Sequence, residues 1–187
     1  MKKLQSSNDE TKFALIDDDV FEIIKDMNLK FCINNYGYFI STTKIKLPEI
    51  AKKKCLYLHR FVWIIKTKTE PTSSIDHADI NPLNNQFENL RLASRREQQH
   101  NKGKRKDNTS GYIGVNHHHK VNKHYKNGYI DYWKTSIRKP DGHREAKYFP
   151  YTPEGKIEAG KWYDDHARKY FGDFAGQLNF PTPSDKQ

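Results

Sequence analysis

The chain has 187 residues, 35% of them hydrophobic and 30% charged, with a net charge of +10. This length fits one domain or two small ones, and the low apolar fraction favours two small cores over a single large one. Two cysteines exclude a disulfide framework and a four-cysteine zinc site, and no apolar run approaches the ~20 residues of a membrane helix.

The positive charge is concentrated in one stretch of the chain. Residues 91–147 hold fifteen Lys/Arg against five Asp/Glu, whereas residues 1–30 hold five Lys against seven Asp/Glu. A basic stretch interleaved with aromatics attracts polyanions, and nucleic acid is the first candidate. The alternative is a well-solvated surface.

The N-terminal part reads as a mixture of short helices and strands. Residues 1–12 are polar and predicted to be loose, and Asp17 to Asp19 can cap a helix over "DVFEIIKDMN". "KFCINN" and "GYFISTT" predict a hairpin, and "CLYL" is a third strand candidate. "HRFVWII" predicts a helix with one apolar face.

The next segment predicts a strand, a loop, a strand and a helix. After the loop "KTKTEPTSSI" come Asp76 and His77, an Asn/Pro-rich loop and the short strand "FENLRLA". In "SRREQQHNK", Ser94 and Glu97 form the capping-box pattern of a helix start.

Residues 102–110 are charged and lack apolar periodicity, so we place a basic linker there. Residues 1–101 are the predicted first domain, residues 111–181 the second and residues 182–187 a tail.

The second domain predicts three strands followed by one helix. The strands are "GYIGV", "YIDYWKTSIRK" and "REAKYF", with a turn at "PDG" between the last two. Thr152 and Pro153 begin a helix that Gly172 ends. A three-stranded meander covered by one helix is the simplest arrangement.

The stretch "SIDHADINPLNNQFENL" combines an acid, an imidazole and several amides. His77 can accept a proton at neutral pH, and Asp76 offers a hard oxygen ligand for Mg²⁺ or Mn²⁺. Adjacent residues on a strand point to opposite faces, so a bend or loop must bring both to one reaction. Beside a basic surface, this set suggests metal-assisted hydrolysis of phosphodiesters. The Asp–His pair alone favours the alternative of an Asx-rich surface loop with a hydrogen-bonded histidine.

Residues 56–101, with "LHRFVW", "IDHADINPLNNQFENLRLAS" and "REQQHNK", resemble the HNH homing endonuclease family of phage and intron type. The resemblance implies a ββα-metal fold holding one divalent cation, Mg²⁺ or else Mn²⁺. The expected fold class is therefore α+β, with an HNH ββα-metal nuclease domain followed by a three-stranded antiparallel sheet packed on one helix.

The resemblance also implies residue roles. His77 is the expected general base, Asp76 a metal ligand and Asn89 the brace that holds the loop. The ligand position on the helix carries Gln98 where the family has Asn or His, and His100 and Asn101 are the nearest substitutes. "ADINP" lacks the family's Gly in this loop, and we expect Pro82 to stiffen the turn.

Two residues of "LHR" match positions of the same family. Arg60 can contact phosphate or support its helix, and both roles stay open. We expect His59 to be buried beside Trp63.

The C-terminal part, with "NTSGYIGV", "YWKTSIRKPDG", "YDDHARKYFG" and "LNFP", resembles the plant ethylene-response (Apetala-type) DNA-binding domain. That family places its sheet in the major groove of double-stranded DNA. Carried over by position, the DNA-contacting residues are Asn116, His118, Ser136, Arg138 and Lys147.

Trp133 either packs on the helix or contacts a sugar, with packing favoured. The run from His117 to His119 has no partner ligands at a recognisable spacing, which favours a DNA-facing strand over a metal site.

Together these patterns predict a metal-dependent, site-recognising DNA endonuclease that binds double-stranded DNA. We expect a cytoplasmic protein without a membrane or secretion signal, with a monomer favoured. The alternative is a sequence-specific DNA-binding regulator with a degenerate nuclease domain, which the Gln98 position favours. A structural zinc domain that uses His77 and His100 lacks a cysteine pair and is disfavoured.

Overall fold

The structure, a computed structural model, describes residues 1–45, 55–101, 103–121, 123–124 and 128–185. The chain divides into two compact units, Met1–Gln98 and Gln99–Gln187. The predicted linker 102–110 begins just after this division, and its first residue, like residues 186–187 of the tail, lies outside the described residues. Among the described helices, none combines the length and apolar character that crossing a membrane requires.

The first unit combines three antiparallel strand pairs with helices, as a mixed α and β fold. Its elements are β1 (Lys2–Gln5), β2 (Phe13–Ile16), α1 (Asp18–Asp26), β3 (Phe31–Ile33), β4 (Phe39–Ser41), α2 (Leu58–Thr67), β5 (Ser74–His77), β6 (Leu90–Ala93) and α3 (Arg95–His100), whose last two residues fall in the second unit. The strands pair as β1 with β2, β3 with β4 and β5 with β6.

The core of the first unit lies where α1 and α2 pack against the strand pairs. Val20 and Ile24 come from α1, and Phe61 and Ile64 come from α2; all four are buried. The predicted apolar helix faces are therefore the buried ones, because residues three and four apart share one side of a helix.

Two sequence predictions for this unit were wrong. The N-terminal residues are not loose, since β1 pairs with β2 along its full length. The "CLYL" stretch is not a strand, and its Tyr57 makes only an isolated bridge to Ile40. The β1 segment was missed because its side chains are mostly exposed and give no alternating apolar pattern.

The second unit has the predicted three-stranded sheet and helix, but the first strand begins only at the last residue of "GYIGV" and continues beyond it. Strands β7 (Val115–Val121), β8 (Tyr129–Arg138) and β9 (Arg144–Pro150) form one antiparallel sheet in that order, and α4 (Pro153–Phe171) packs against it. Thr152 caps α4 by accepting a hydrogen bond from the Gly155 amide at 3.1 Å. Gly172 follows at the C-cap, as predicted.

The strand register assigns every residue of the sheet to one of two faces. Val115, Thr135, Ile137 and Phe149 share the face toward α4 and are buried. Trp133 lies on this side, packs in the same core and donates its indole N–H to the Thr152 carbonyl at 3.0 Å, so the packing role is confirmed. We call the other side of the sheet the open face.

A buried carboxylate fixes the segment after α4. Asp164 is only 1% exposed and accepts hydrogen bonds from the backbone amides of Asn179 and Phe180 and from the Asn179 side chain. Burial raises the pKa of this carboxyl, while the amide donors favour its charged form. The "YDDHARKYFG" and "LNFP" stretches are thereby joined in space.

Gly114 shows why "GYIGV" needs a glycine at its fourth position. Its φ of +74° lies in the left-handed region, and an added Cβ would stand 2.0 Å from a ring carbon of Tyr163. A side chain here must therefore overcome both backbone strain and a steric clash with α4.

We expect Gly114→Ala to lower the free energy of unfolding of the second unit by about 2–4 kcal/mol. Gly111→Ala is the matched control, because Gly111 has a φ of +82° but no atom within 4 Å of the added Cβ. That control should lose only about 1 kcal/mol. Thermal or urea unfolding measures both, and equal losses would contradict the steric clash.

Candidate active site and nucleic-acid interface

Asp76 and His77 lie side by side on β5, which is a regular strand at this point. Asp76 pairs with Arg91 and His77 with Leu90 in the β5–β6 register. The two side chains consequently point to opposite sides of the strand pair. The order of β5, loop, β6 and α3 matches the predicted strand, loop, strand and helix.

His77 is buried and is hydrogen-bonded to the side-chain amide of Asn85. His77 is only 5% exposed, and its Nε2 atom lies 3.3 Å from Oδ1 of Asn85. The Asn85 amide nitrogen donates to the Pro82 carbonyl at 3.1 Å, which fixes Oδ1 as the atom facing the imidazole. This assigns the proton to Nε2 and the lone pair to Nδ1.

Burial also sets the charge of His77. Desolvation lowers its pKa, opposed by the Asn85 hydrogen bond and by the nearby carboxylates of Asp79 and Asp76. The imidazole is therefore neutral at pH 7, which is the form that accepts a proton.

Aromatic and imidazole rings pack against His77. His59 contacts it edge-on with ring centroids 5.4 Å apart, and Tyr38 lies 6.1 Å away. Tyr57 stacks on His59 at 5.3 Å. Burial lowers the pKa of His59 to about 3, and the neighbouring His77 adds to the effect. The predicted burial of His59 is only partial, and the rings that it contacts include Tyr38, Tyr57 and His77.

The loop after β5 is held by a network around Asp79 and Asn89. Asn89 donates to Asp79 Oδ1 at 2.9 Å and to the Asn84 carbonyl at 2.8 Å, and it accepts from the Asp79 amide at 3.0 Å. Asn84 donates to Asp79 Oδ2 at 2.8 Å. Asn89 therefore links the two ends of the loop, which is the geometry that its expected bracing role requires.

Ile80 occupies the position at which the family pattern has Gly. Its φ is +63°, a left-handed conformation that β-branched residues rarely adopt. The Asp79 side chain accepts from the Asn81 amide at 2.9 Å, and the Asn81 side chain accepts from the Leu83 amide at 3.1 Å. These two Asx turns stabilise the bend at Ile80, so the turn depends on more than Pro82.

The N-terminal hairpin anchors the same loop. The Leu15 amide donates to the Leu83 carbonyl at 2.7 Å, and the Asn85 amide donates to the Leu15 carbonyl at 2.8 Å. Asp17 stands at the N-cap of α1, but its carboxylate accepts from the Phe87 amide at 2.9 Å. β2 therefore positions the residue that orients His77.

The two expected metal ligands have protein partners in the described part of the chain. Asp76 Oδ2 accepts from Arg91 Nε at 3.1 Å and from its Nη2 at 3.0 Å. Gln98 donates through Nε2 to the Ile75 carbonyl at 3.1 Å. Its amide oxygen, Oε1, is the atom that would bind a cation. A carboxylate and an amide oxygen are the donor types that Mg²⁺ and Mn²⁺ prefer, so this set fits a hard cation.

Arg60 lines an open pocket together with polar and aromatic side chains. The lining includes Tyr36, Tyr38, Tyr57, His59 and Gln98. Arg60 Nη2 lies 3.7 Å from Glu70 Oε2, a long ion pair that leaves both expected roles of this guanidinium open.

The two substitute ligands belong to the second unit. His100 stacks on Phe171 with ring centroids 3.7 Å apart, and Asn101 is buried at 6% exposure. The His100 ring is thus packed against Phe171, and Asn101 is buried, whereas Gln98 of α3 contacts β5 through the Ile75 carbonyl.

Four of the five sheet residues expected to contact DNA share the open face. They are Asn116, His118, Ser136 and Arg138. Lys147 is a correction, because it pairs with Thr135 and lies on the side toward α4, with Nζ 5.1 Å from the Phe149 ring centroid.

The register separates charge between the two faces of the sheet. The basic strand residues on the open face are Lys120, Lys134, Arg138 and Arg144. Both acidic strand residues, Asp131 and Glu145, lie on the side toward α4. The open face therefore attracts anions, and exposed Tyr148 adds an aromatic surface to it.

The model of the HNH endonuclease family matches residues 56–100, which run from just before α2 to the end of α3. The match supports a nuclease that acts on DNA. Neither the curated proteins nor the solved structures provide a significant match to the chain.

Sequence reasoning missed two residues of this site. Asn85 orients His77, and Asp79 collects the bonds that shape the loop. Both stand in the quoted Asn-rich stretch, where the paired amides Asn84 and Asn85 were the available signal.

The buried histidines predict a pH-dependent stability. Because the folded pKa values of His59 and His77 lie below the unfolded value near 6.5, the full stability is present above pH 6.5. It is lost as the pH falls toward the lowered values, by up to about 1.4 kcal/mol per pH unit for each imidazole.

We expect His59→Phe to reduce this loss between pH 6.5 and 5, measured by unfolding of the first unit at several pH values. Phe keeps a ring against Tyr57 but cannot take up a proton. His143→Phe, at an exposed turn position, is the control and should keep the wild-type pH dependence. An unchanged slope in His59→Phe would contradict the burial of a neutral imidazole.

Proposed function

We propose that the protein is a metal-dependent DNA endonuclease that hydrolyses phosphodiester bonds and recognises its site through the sheet of the second unit. The observation that carries this proposal is the buried His77, hydrogen-bonded to Asn85 inside the segment that matches the HNH endonuclease family. The likeness to homing endonucleases adds site recognition to the nuclease class.

His77 supplies the base of the proposed reaction. With Nε2 hydrogen-bonded to Asn85, the imidazole would accept a proton from the attacking water at Nδ1. The new oxygen–phosphorus bond forms as the bond to the leaving oxygen breaks, and the leaving oxygen takes a proton from solvent. The rigid loop keeps the ring from turning during this transfer.

Asp76 and Gln98 are the residues that would hold the cation. When bound, a divalent cation such as Mg²⁺ neutralises phosphate charge and stabilises the leaving oxygen. The bend expected to bring Asp76 and His77 to one reaction is absent from β5, and Arg91 engages Asp76 Oδ2, so Asp76 would have to exchange this partner and turn to act beside His77. Arg60, which lines an open pocket together with Gln98, would contact phosphate in this proposal.

The open face of the sheet is the proposed surface for double-stranded DNA. All charged strand residues on this face are basic, so the face attracts the phosphate backbone. A β-sheet also fits the major groove. Phosphate contacts by these residues would fix the register, and Asn116 and His118 offer hydrogen bonds to base edges.

A DNA-binding regulator with a degenerate nuclease domain is the second candidate. Gln98 replaces the family's Asn or His, and Asp76 is paired with Arg91. Under this alternative the second unit still binds DNA, and the first unit contributes only structure.

Plasmid cleavage separates the two candidates. We expect wild-type protein to cut DNA with Mg²⁺ or Mn²⁺, and His77→Ala to cut about 10²–10⁴ times more slowly, because the base is removed. Asn85→Ala should also slow cleavage, because the ring loses its orienting acceptor. Both variants should bind DNA as tightly as the wild type in a gel-shift measurement.

His143→Ala, an exposed histidine of the second unit, is the control and should cut at the wild-type rate. If the wild-type protein binds DNA but does not cut it with either metal, the endonuclease proposal is wrong and the DNA-binding regulator becomes the proposed function.

A matched pair of charge removals tests the DNA surface. We expect Arg138→Ala to weaken DNA binding about fivefold or more, since it removes a cation from the open face. Lys147→Ala removes the same charge from the opposite face and should change the affinity by less than about twofold. Binding is measured at one salt concentration, and equal effects of the two substitutions would contradict the assignment of the open face.

A further inference from the structure

Three side chains with metal-binding chemistry meet on the α4 side of the sheet, away from the open face. They are His117, His119 and Asp131, which we call the His–His–Asp cluster. We propose that this cluster binds a divalent transition-metal ion of the Zn²⁺ class through two imidazole nitrogens and one carboxylate oxygen.

Strand pairing places the three ligands together. His119 is directly opposite Asp131 in the β7–β8 register, and His117 lies two residues along the same face of β7. His117 Nε2 is 2.9 Å from Asp131 Oδ1, and His119 Nδ1 is 2.5 Å from the same oxygen. One ligand atom from each residue lies within 4.8 Å of the other two.

These distances are close to those of a tetrahedral site. Bonds of about 2.0–2.1 Å from Zn²⁺ to nitrogen or oxygen place neighbouring ligand atoms roughly 3.4 Å apart. The two imidazoles therefore need to move from Asp131 by less than about 1 Å, which exposed side chains can do without a change in the strands. A fourth position would be open to water.

The donor set selects the kind of metal. Two imidazoles and one carboxylate suit Zn²⁺, Ni²⁺, Cu²⁺ or Co²⁺, whereas Mg²⁺ prefers an all-oxygen shell. The cluster is thus chemically distinct from the oxygen donors Asp76 and Gln98 of the first unit.

Neighbouring rings hold the imidazoles while leaving the cluster accessible. His117 stacks on Tyr151 with ring centroids 4.3 Å apart, and His119 contacts the edge of Tyr129 at 5.4 Å. The His119 side chain is 61% exposed, so an ion in solution can reach it. A bound ion would join β7 to β8 and stabilise this pair of strands.

Metal titration of the full chain tests the proposal, in an Asp76→Asn background that removes the carboxylate of the first unit. After chelator treatment, Co²⁺ is added and its visible absorption is followed, and Zn²⁺ is then used to displace it. We expect one tetrahedral Co²⁺ site, at least tenfold weaker in His117→Ala, His119→Ala and Asp131→Asn.

His118→Ala is the matched control, because His118 lies between the two ligands in sequence but on the open face. It should bind Co²⁺ like its parent. The thermal midpoint of the second unit should rise with Zn²⁺ in the parent and in His118→Ala, but not in His119→Ala. The proposal is overturned if the parent binds no Co²⁺ or Zn²⁺, or if the cluster variants bind both ions as tightly as the parent.

Discussion

The first unit depends on keeping one uncharged imidazole buried and correctly turned. A fixed amide orients His77, because its Nε2 lies 3.3 Å from Oδ1 of Asn85, whose amide nitrogen is held by the Pro82 carbonyl. The position of Asn85 in turn depends on the backbone of β2, through the Leu15 carbonyl, and on the Asp79–Asn89 network. The N-terminal pair of strands, β1 and β2, therefore shapes the candidate site through backbone hydrogen bonds of Leu15.

The parts of this unit that were predictable from sequence are the local ones. The capping box formed as expected, with the Ser94 amide donating to Glu97 and the Glu97 amide donating to Ser94 Oγ, because both partners lie within one helical turn. The bond from the Phe87 amide to Asp17 joins residues 70 positions apart, and no periodicity in the sequence contains that information. Asp17 looked like a helix cap because that is the common use of its type at such a position.

The second unit shows how much depends on strand register. Alternation along β8 was readable from the sequence, since ten residues give a clear two-residue period. The face of Lys147 on β9 was not readable, because a shift of one residue in pairing moves a side chain to the other side of the sheet. The same limit concealed the His–His–Asp cluster. Its carboxylate comes from the neighbouring strand, so its spacing in sequence matches no zinc motif.

The acidic strand residues of this sheet lie on one face and most of the basic ones on the other, an arrangement that suits both DNA binding and metal binding. Asp131 and Glu145 lie on the α4 side, so the strands present no carboxylate to a DNA backbone on the open face. The same arrangement gives the helix side the anionic ligand that two imidazoles need to hold a cation. One β8 strand can therefore carry a phosphate-binding surface and a metal site without electrostatic conflict, because alternate side chains point in opposite directions. A metal bound behind the sheet would stabilise the surface in front of it while leaving the base-reading side chains untouched.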